Sequence, residues 1–223
     1  MSTLLLRLSG PLQSWGVQSR FGVRDTGLEP SKSGVLGLLC VAQGRPRHAP
    51  LADLAALRMA VRVDQEGRLQ RDYHTAGTGG FLRASGDVER DQVVLSSRYY
   101  LAGARFLVGL EGDEALLRRL DAALRSPVWP LCLGRKAFPP GEPVWLPDGL
   151  RPGEGLLQAV STYPWLGPEG APLPPRLRLV VDDPAGVELR PDGAPPSFAV
   201  RVFPLRRLSS RYIGAPTGAK EVP

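Results

Sequence analysis

Sixteen of the 23 prolines in this chain of 223 residues fall between Ser126 and Ser197. Each proline fixes φ and removes a backbone donor, which disfavours helices and long strands within this block. The block itself reads as loop-rich with short edge strands and few helices, Leu177 to Asp182 and Phe198 to Leu205 being its best strands.

The first 125 residues carry the regular periodicities. Thr3 to Leu8 is an apolar strand stopped by Ser9-Gly10-Pro11. Pro30-Ser31-Lys32-Ser33 opens a helix that runs to Gln43 and stops at Gly44; Val35, Leu36, Leu38, Leu39 and Val41 make most of it apolar, hence buried. Leu57 to Val63 alternates as a half-buried strand does, and Gln65 to Gly67 turns it into a second strand, Arg68 to Thr75. Val93 to Leu101 and Arg105 to Leu110 are strands joined at Ala102-Gly103-Ala104. Asp113 to Arg125 is an amphipathic helix with Leu116, Leu117, Leu120 and Leu124 on one side. With Pro130 to Leu133 and Pro143 to Leu146 as candidate closing strands, the order is that of a ferredoxin-like α+β fold.

Two segments escape this pattern. Residues 10 to 30 hold Gly10, Gly16, Gly22 and Gly27 with Arg20 and Arg24, a loop too long for an ordinary connection and of the kind that carries function. Ala76 to Gln92, with four glycines and few large apolar residues, reads as a mobile projection.

Of the 28 basic residues 25 are arginine and three are lysine (Lys32, Lys136, Lys220), against 22 acids, a net charge of +6. A polyanionic partner accounts for such an excess, arginine being suited to phosphate forks and base stacking; so does a composition set by the genome or by heat adaptation. Placement favours the first at the chain ends, where residues 1 to 50 hold six basic and two acidic side chains and Ala194 to Lys220 hold five basic and none acidic. Apolar runs are too short to span a bilayer, and Arg7 interrupts the apolar start, so neither a transmembrane helix nor a signal peptide is expected. The cytosol follows as the expected compartment, with Cys40 and Cys132 as reduced thiols.

Most catalytic motifs fail on spacing. Lys32-Ser33 at a helix start resembles a P-loop, but the required glycines one and six residues earlier are Ser31 and Thr26. Ser31, Lys32, Ser33 and the free amides of the helix start still form a candidate phosphate seat, against the simpler reading of a serine cap with a solvated lysine. Two cysteines and two histidines, far apart, provide no metal-ligand spacing, and Ser14 lacks the first glycine of a nucleophile elbow. No metal or cofactor is expected. His48 sits in an exposed connection, whereas His74, in Arg71-Asp72-Tyr73-His74-Thr75, stands where a strand meets the projection.

What remains is aromatics among cations: Trp15, Arg20, Phe21 and Arg24 in the long loop, Tyr73 with His74, Arg98-Tyr99-Tyr100, Arg135-Lys136-Ala137-Phe138 and Arg211-Tyr212. Single-stranded nucleic acid is bound by this combination, arginine neutralising phosphates and flat side chains stacking bases. The alternation of Tyr99 and Tyr100 requires at least one aromatic to face the core.

Leu4 to Gly16 (LLLRLSGPLQSWG), Ser19-Arg20-Phe21, Arg24-Asp25-Thr26 and Pro30 to Leu39 (PSKSGVLGLL) closely resemble the start of the CasD family, the subunits that bind the crRNA 5′ handle in the type I-E CRISPR surveillance complex Cascade. The likeness continues in Asp72-Tyr73-His74-Thr75, Ser97 to Ala102, Ala104-Arg105-Phe106 and Pro130 to Lys136. It covers residues 3 to 145 well and is weak in the proline-rich remainder.

The resemblance implies a repeat-associated RAMP protein: a ferredoxin-like, RNA-recognition-like domain over residues 1–145 with a protruding thumb near 76–92, and a small loop-rich, β-containing C-terminal subdomain over 146–223. It implies a non-catalytic subunit that caps the crRNA 5′ handle and packs against the backbone subunit CasC and the large subunit CasA. The handle-facing surface gathers Gln13, Trp15, Arg20, Arg24, Lys32, Ser33, Tyr73, His74, Arg98, Arg135 and Lys136. Of these, Arg20, Arg24, Lys32 and Arg135 are expected on phosphates, and Trp15, Tyr73 and His74 on bases. In a related subtype the equivalent protein cuts repeat RNA without metal, using Tyr, Lys and His, the last two adjacent. Here Ala137 follows Lys136, so endoribonuclease activity is the alternative, resting on convergence of His74 and Lys136.

Overall fold

The computed structural model describes residues 1–19, 22–83 and 85–216. In chain order its elements are β1 (Ser2–Ser9), β2 (Leu12–Gln13), β3 (Val23–Arg24), α1 (Lys32–Gln43), α2 (Ala52–Ala55), β4 (Arg58–Gln65), β5 (Arg68–Ala76), β6 (Phe81–Leu82) and β7 (Val88–Glu89). There follow β8 (Val94–Ala102), β9 (Arg105–Gly112), α3 (Glu114–Arg125), β10 (Trp145–Arg151), α4 (Leu156–Thr162), β11 (Arg176–Asp182), β12 (Glu188–Arg190) and β13 (Arg206–Gly214).

β1 carries consecutive apolar residues at Leu4, Leu5 and Leu6, and Leu8 beyond Arg7, because both of its faces are covered. Leu4, Leu6 and Leu8 join the larger core with the apolar sides of α1 and α3, while Leu5 joins a second core built with α4. β9 and β4 repeat the pattern. Phe106, Val108 and Leu110, like Met59, Val61 and Val63, face the larger core; Leu107 and Ala60 face the smaller. Gly109 lies under α4, where an added Cβ would stand 2.5 Å from Val160, so the helix reaches the sheet only over a glycine.

These strands form a seven-stranded sheet in the order β10-β1-β9-β4-β11-β13-β12, every neighbour pair antiparallel. A second sheet centres on β8, which pairs β5 along one edge and β2 and β3 along the other; β6 and β7 make a separate two-stranded ribbon. The mixed, mostly antiparallel α and β architecture with few helices agrees with the coarse reading of the sequence.

Two expectations need correction. Pro130 to Leu133 forms no strand: Leu133 donates its amide to Phe138 O within a tight loop. Phe198 to Leu205 forms none either, because the strand begins one step later at Arg206, where burial of Arg206 and Leu208 sets the register and Pro204 has no amide to give. β10 begins at Trp145, and the later strands β11, β13 and β12 join the sheet formed by β1, β9 and β4. Pairing of Val180 with Val61 carries that continuation, since both turn apolar side chains inward. Among the described residues no helix is long and apolar enough to cross a membrane.

Candidate nucleic-acid interface

The β5–β8 register places Asp72 opposite Arg98, His74 opposite Ser96 and Gln70 opposite Tyr100. Strand alternation therefore gives Asp72, His74, Arg98 and Tyr100 one face of the small sheet and Tyr73 and Tyr99 the other. On the far edge of β8, β3 runs parallel and sets Arg24 beside Arg98. The loop after α3 closes over this face. Gly134 makes its turn at φ +90°, where an added Cβ would collide with Ser14 O, so only glycine fits. Beyond it Arg135 donates from Nη2 to Tyr99 O at 2.9 Å and to Arg24 O at 3.2 Å. Its guanidinium stands 5.6 Å from the Phe138 ring, and Phe138 lies 5.9 Å from Tyr100.

The result is a cleft of about 210 Å³ lined by Leu12, Asp72, His74, Arg98, Tyr100, Arg135, Ala137 and Phe138. Its charge is unbalanced. Burial, and then the positive charges of Arg98 and Arg24, hold the Arg135 guanidinium below its ordinary range, with Asp25 and Asp72 opposing. Three arginines this close favour an anion between them. His74 Nδ1 lies 3.8 Å from the Asp72 carboxylate.

Arg24 is presented by a loop folded about Asp25. That carboxylate accepts from the amides of Val17 (3.2 Å) and Gln18 (3.0 Å) and from Ser19 Oγ. Burial pushes the Asp25 carboxyl upward, yet these hydrogen bonds outweigh it and leave it below the usual carboxylate range. Thr26 Oγ1 accepts from the Trp15 amide at 2.9 Å and ties the loop's ends together. Arg20 lies outside the described residues.

Arg24, His74, Arg98 and Arg135 thus come together, whereas the other sequence candidates do not join them. Gln13 and Trp15 are 0% and 2% exposed. Gln13 Nε2 donates to the carbonyls of Leu8 (3.1 Å) and Ala104 (2.8 Å), and its Oε1 accepts from Trp15 Nε1 at 3.1 Å. Gly34 packs on the indole ring, so Trp15 is a core residue and stacks no base. Lys32 is 8% exposed, its Nζ 2.8 Å from Asp182 Oδ2. The phosphate seat at the start of α1 is filled from within: Lys32 N donates to Asp192 Oδ2 and Ser33 N to Asp192 O, each at 2.9 Å, and Ser31 caps the amide of Gly34. Lys136 lines a different cleft, with Trp129, Cys132 and Phe198, from the one that His74 lines. Tyr73 is 63% exposed on the opposite face of β5.

Sequence reasoning left Asp72, Tyr100 and Phe138 out of the site. The two aromatics carried a signal as neighbours of arginine. Asp72 carried only its two-residue spacing from His74, which shares a strand face.

A family model described as CRISPR-associated protein (Cas_Cas5) matches residues 3–209. The chain belongs to this Cas5 family. A relative, CRISPR system Cascade subunit CasD of Escherichia coli (strain K12), is 33% identical over 162 residues, spanning 65% of this chain and 70% of the relative. Among solved structures, one titled "Crystal structure of Cas protein" has a TM-score of 0.79 at 42% identity and covers 97% of this chain and 98% of its own. Another, titled "CRISPR RNA-guided surveillance complex", has a TM-score of 0.79 at 32% identity, covering 96% and 91%. The cleft therefore belongs to a Cas5-family fold along nearly its whole length.

Proposed function

We propose that this Cas5-family chain is a non-catalytic, RNA-binding structural subunit of a cytoplasmic CRISPR surveillance complex of the Cascade type, capping the 5′ handle of crRNA beside CasC and CasA. The observation that carries the reading is the convergence of Arg24, Arg98 and Arg135 on one sheet face next to His74 and Tyr100, cations and flat side chains together. Similarity to the Cascade subunit CasD and to a chain of an RNA-guided surveillance complex supports it.

We read the strand order β10-β1-β9-β4, with α1 and α3 on one face, as a ferredoxin-like RAMP core. In this reading the β6–β7 ribbon and the ends of β5 and β8 are the thumb, and the residues from 146 onward are an appended subdomain whose strands extend the sheet. The competing reading, a metal-independent endoribonuclease acting on repeat RNA, needs His74 and Lys136 together; their placement in different clefts favours the non-catalytic one.

Co-expression with CasC, CasA, the remaining subunits and crRNA, followed by ultraviolet crosslinking, tests the proposal. Crosslinks from the 5′ handle to Tyr100, His74 or Arg98 are expected. Retention of crRNA by an assembled complex carrying Arg24→Ala, Arg98→Ala and Arg135→Ala, or handle crosslinks confined to other surfaces, would overturn it. Incubation of the chain with repeat RNA in EDTA separates the nuclease: a discrete product lost in His74→Ala would establish cleavage.

A further inference from the structure

Asp72 is out of place in a cleft built for phosphates. A carboxylate a few ångströms from a phosphate repels it, and a chain with 25 arginines has no need of an acid there unless the acid meets something other than phosphate. Nor is the carboxylate consumed within the fold. Its side chain is 52% exposed, and among the described residues its one ion-pair contact is His74 Nδ1 at 3.8 Å, beyond hydrogen-bond length. Arg98, opposite in register, turns its Nε to Ser96 Oγ at 3.1 Å, and Arg135 gives Nη2 to the Tyr99 and Arg24 carbonyls. Asp72 thus offers two acceptor oxygens to a cleft of about 210 Å³, the space of a single base.

We propose that this cleft seats one guanine of the bound RNA, with Asp72 accepting from its N1–H and N2–H₂ groups. The inference rests on the RNA-binding reading above. Two adjacent donors on one edge match the two oxygens of a carboxylate, and among the four bases guanine presents that pair on its Watson–Crick edge. Adenine and cytosine set one amino donor beside a ring acceptor. Uracil flanks its single donor with two carbonyls, which a carboxylate repels. The planar groups of His74 and Arg98 supply stacking surfaces for the seated base, and the remaining N–H groups of Arg98 and Arg135 face its phosphate. The acid thereby lowers affinity for RNA in general and raises it for one base.

The test uses the full chain and eight-nucleotide uridine RNAs carrying one guanosine, inosine or adenosine at the fourth position, with affinity read by fluorescence anisotropy at fixed salt. Guanosine is expected to bind about 10-fold tighter than adenosine, the order of one bidentate base contact. Inosine, which keeps N1–H and lacks the 2-amino group, is expected in between. Asp72→Asn is expected to erase the preference while its affinity for the all-uridine RNA holds or rises. Equal binding of all four RNAs by the wild-type chain would overturn the inference and leave the RNA-binding reading standing. So would a uniform gain in Asp72→Asn with the preference intact, which would make Asp72 a mere trim on the cleft's charge. No binding of any RNA would remove the RNA-binding reading itself. Because inosine changes only the RNA, the outcome does not depend on how the variant folds.

Discussion

Asp192 Oδ2 accepts the backbone amide of Lys32 at 2.9 Å across 160 residues of sequence. The same carboxylate binds Arg206 through both of its oxygens, and Arg206 also pairs with Asp182, the partner of Lys32 Nζ. A buried network of two cations and two anions therefore closes the start of α1 that the sequence offers as a phosphate seat. The helix dipole is satisfied by an internal carboxylate in place of a ligand.

Asp192→Ala should destabilise the fold by about 3 kcal/mol or more, because it strands the Arg206 guanidinium and the Lys32 amide in a buried place, while the Ser33 amide keeps the backbone carbonyl of residue 192. Urea unfolding of the purified chain measures this, and Asp192→Asn, which keeps an acceptor for the helix, should lose less. RNA affinity of the folded fraction should be unchanged in both.

Trp15 and Tyr73 should separate in opposite directions. Trp15→Ala opens a cavity against Gly34 and the core and should cost about 3 to 5 kcal/mol in a denaturant titration. Tyr73→Ala, at a residue 63% exposed, should leave the midpoint within the range of an ordinary surface change. If Trp15→Ala left stability intact while abolishing RNA binding, its assignment to the core would be wrong.

Arg135→Ala should weaken RNA binding and lower the slope of log affinity against log salt by about 0.7, the contribution of one phosphate on a single strand. Lys136→Ala, one residue on but in the other cleft, should leave that slope where it was. Filter binding across a salt series distinguishes the two.

Acid should loosen the loop that presents Arg24. The folded Asp25 carboxyl lies below its unfolded value of about 3.9, so its contribution is complete above that value and is lost as pH falls through the lowered folded one. Amide hydrogen exchange of residues 14 to 19, corrected for intrinsic rates, should show protection falling below about pH 4. Asp25→Asn should show reduced protection already at neutral pH, with weaker RNA binding.

Local pattern made much of the scaffold legible. The alternation of Leu57 to Val63, the apolar run Thr3 to Leu8 and the leucine side of Glu114 to Arg125 each report a face that must be covered, and they became β4, β1 and α3. Near the prolines the signal failed: α4, with seven residues, is too short to show a period, and the strand placed at Phe198 to Leu205 moved to Arg206–Gly214.

The site divides along the same line. The sequence by itself determined that arginines and aromatics recur together and that a long glycine-bearing loop precedes a buried helix, because those are properties of neighbours along the chain. The tertiary structure alone decided which of them share a surface. The β5–β8 register puts Asp72 and His74 with Arg98; Gly134 turns Arg135 back onto Tyr99; Asp192 fills the start of α1; the core takes Gln13 and Trp15. Each of these contacts joins residues from separate elements, and the free energy that selects them, burial and the pairing of charges removed from water, exists only once the distant partners meet.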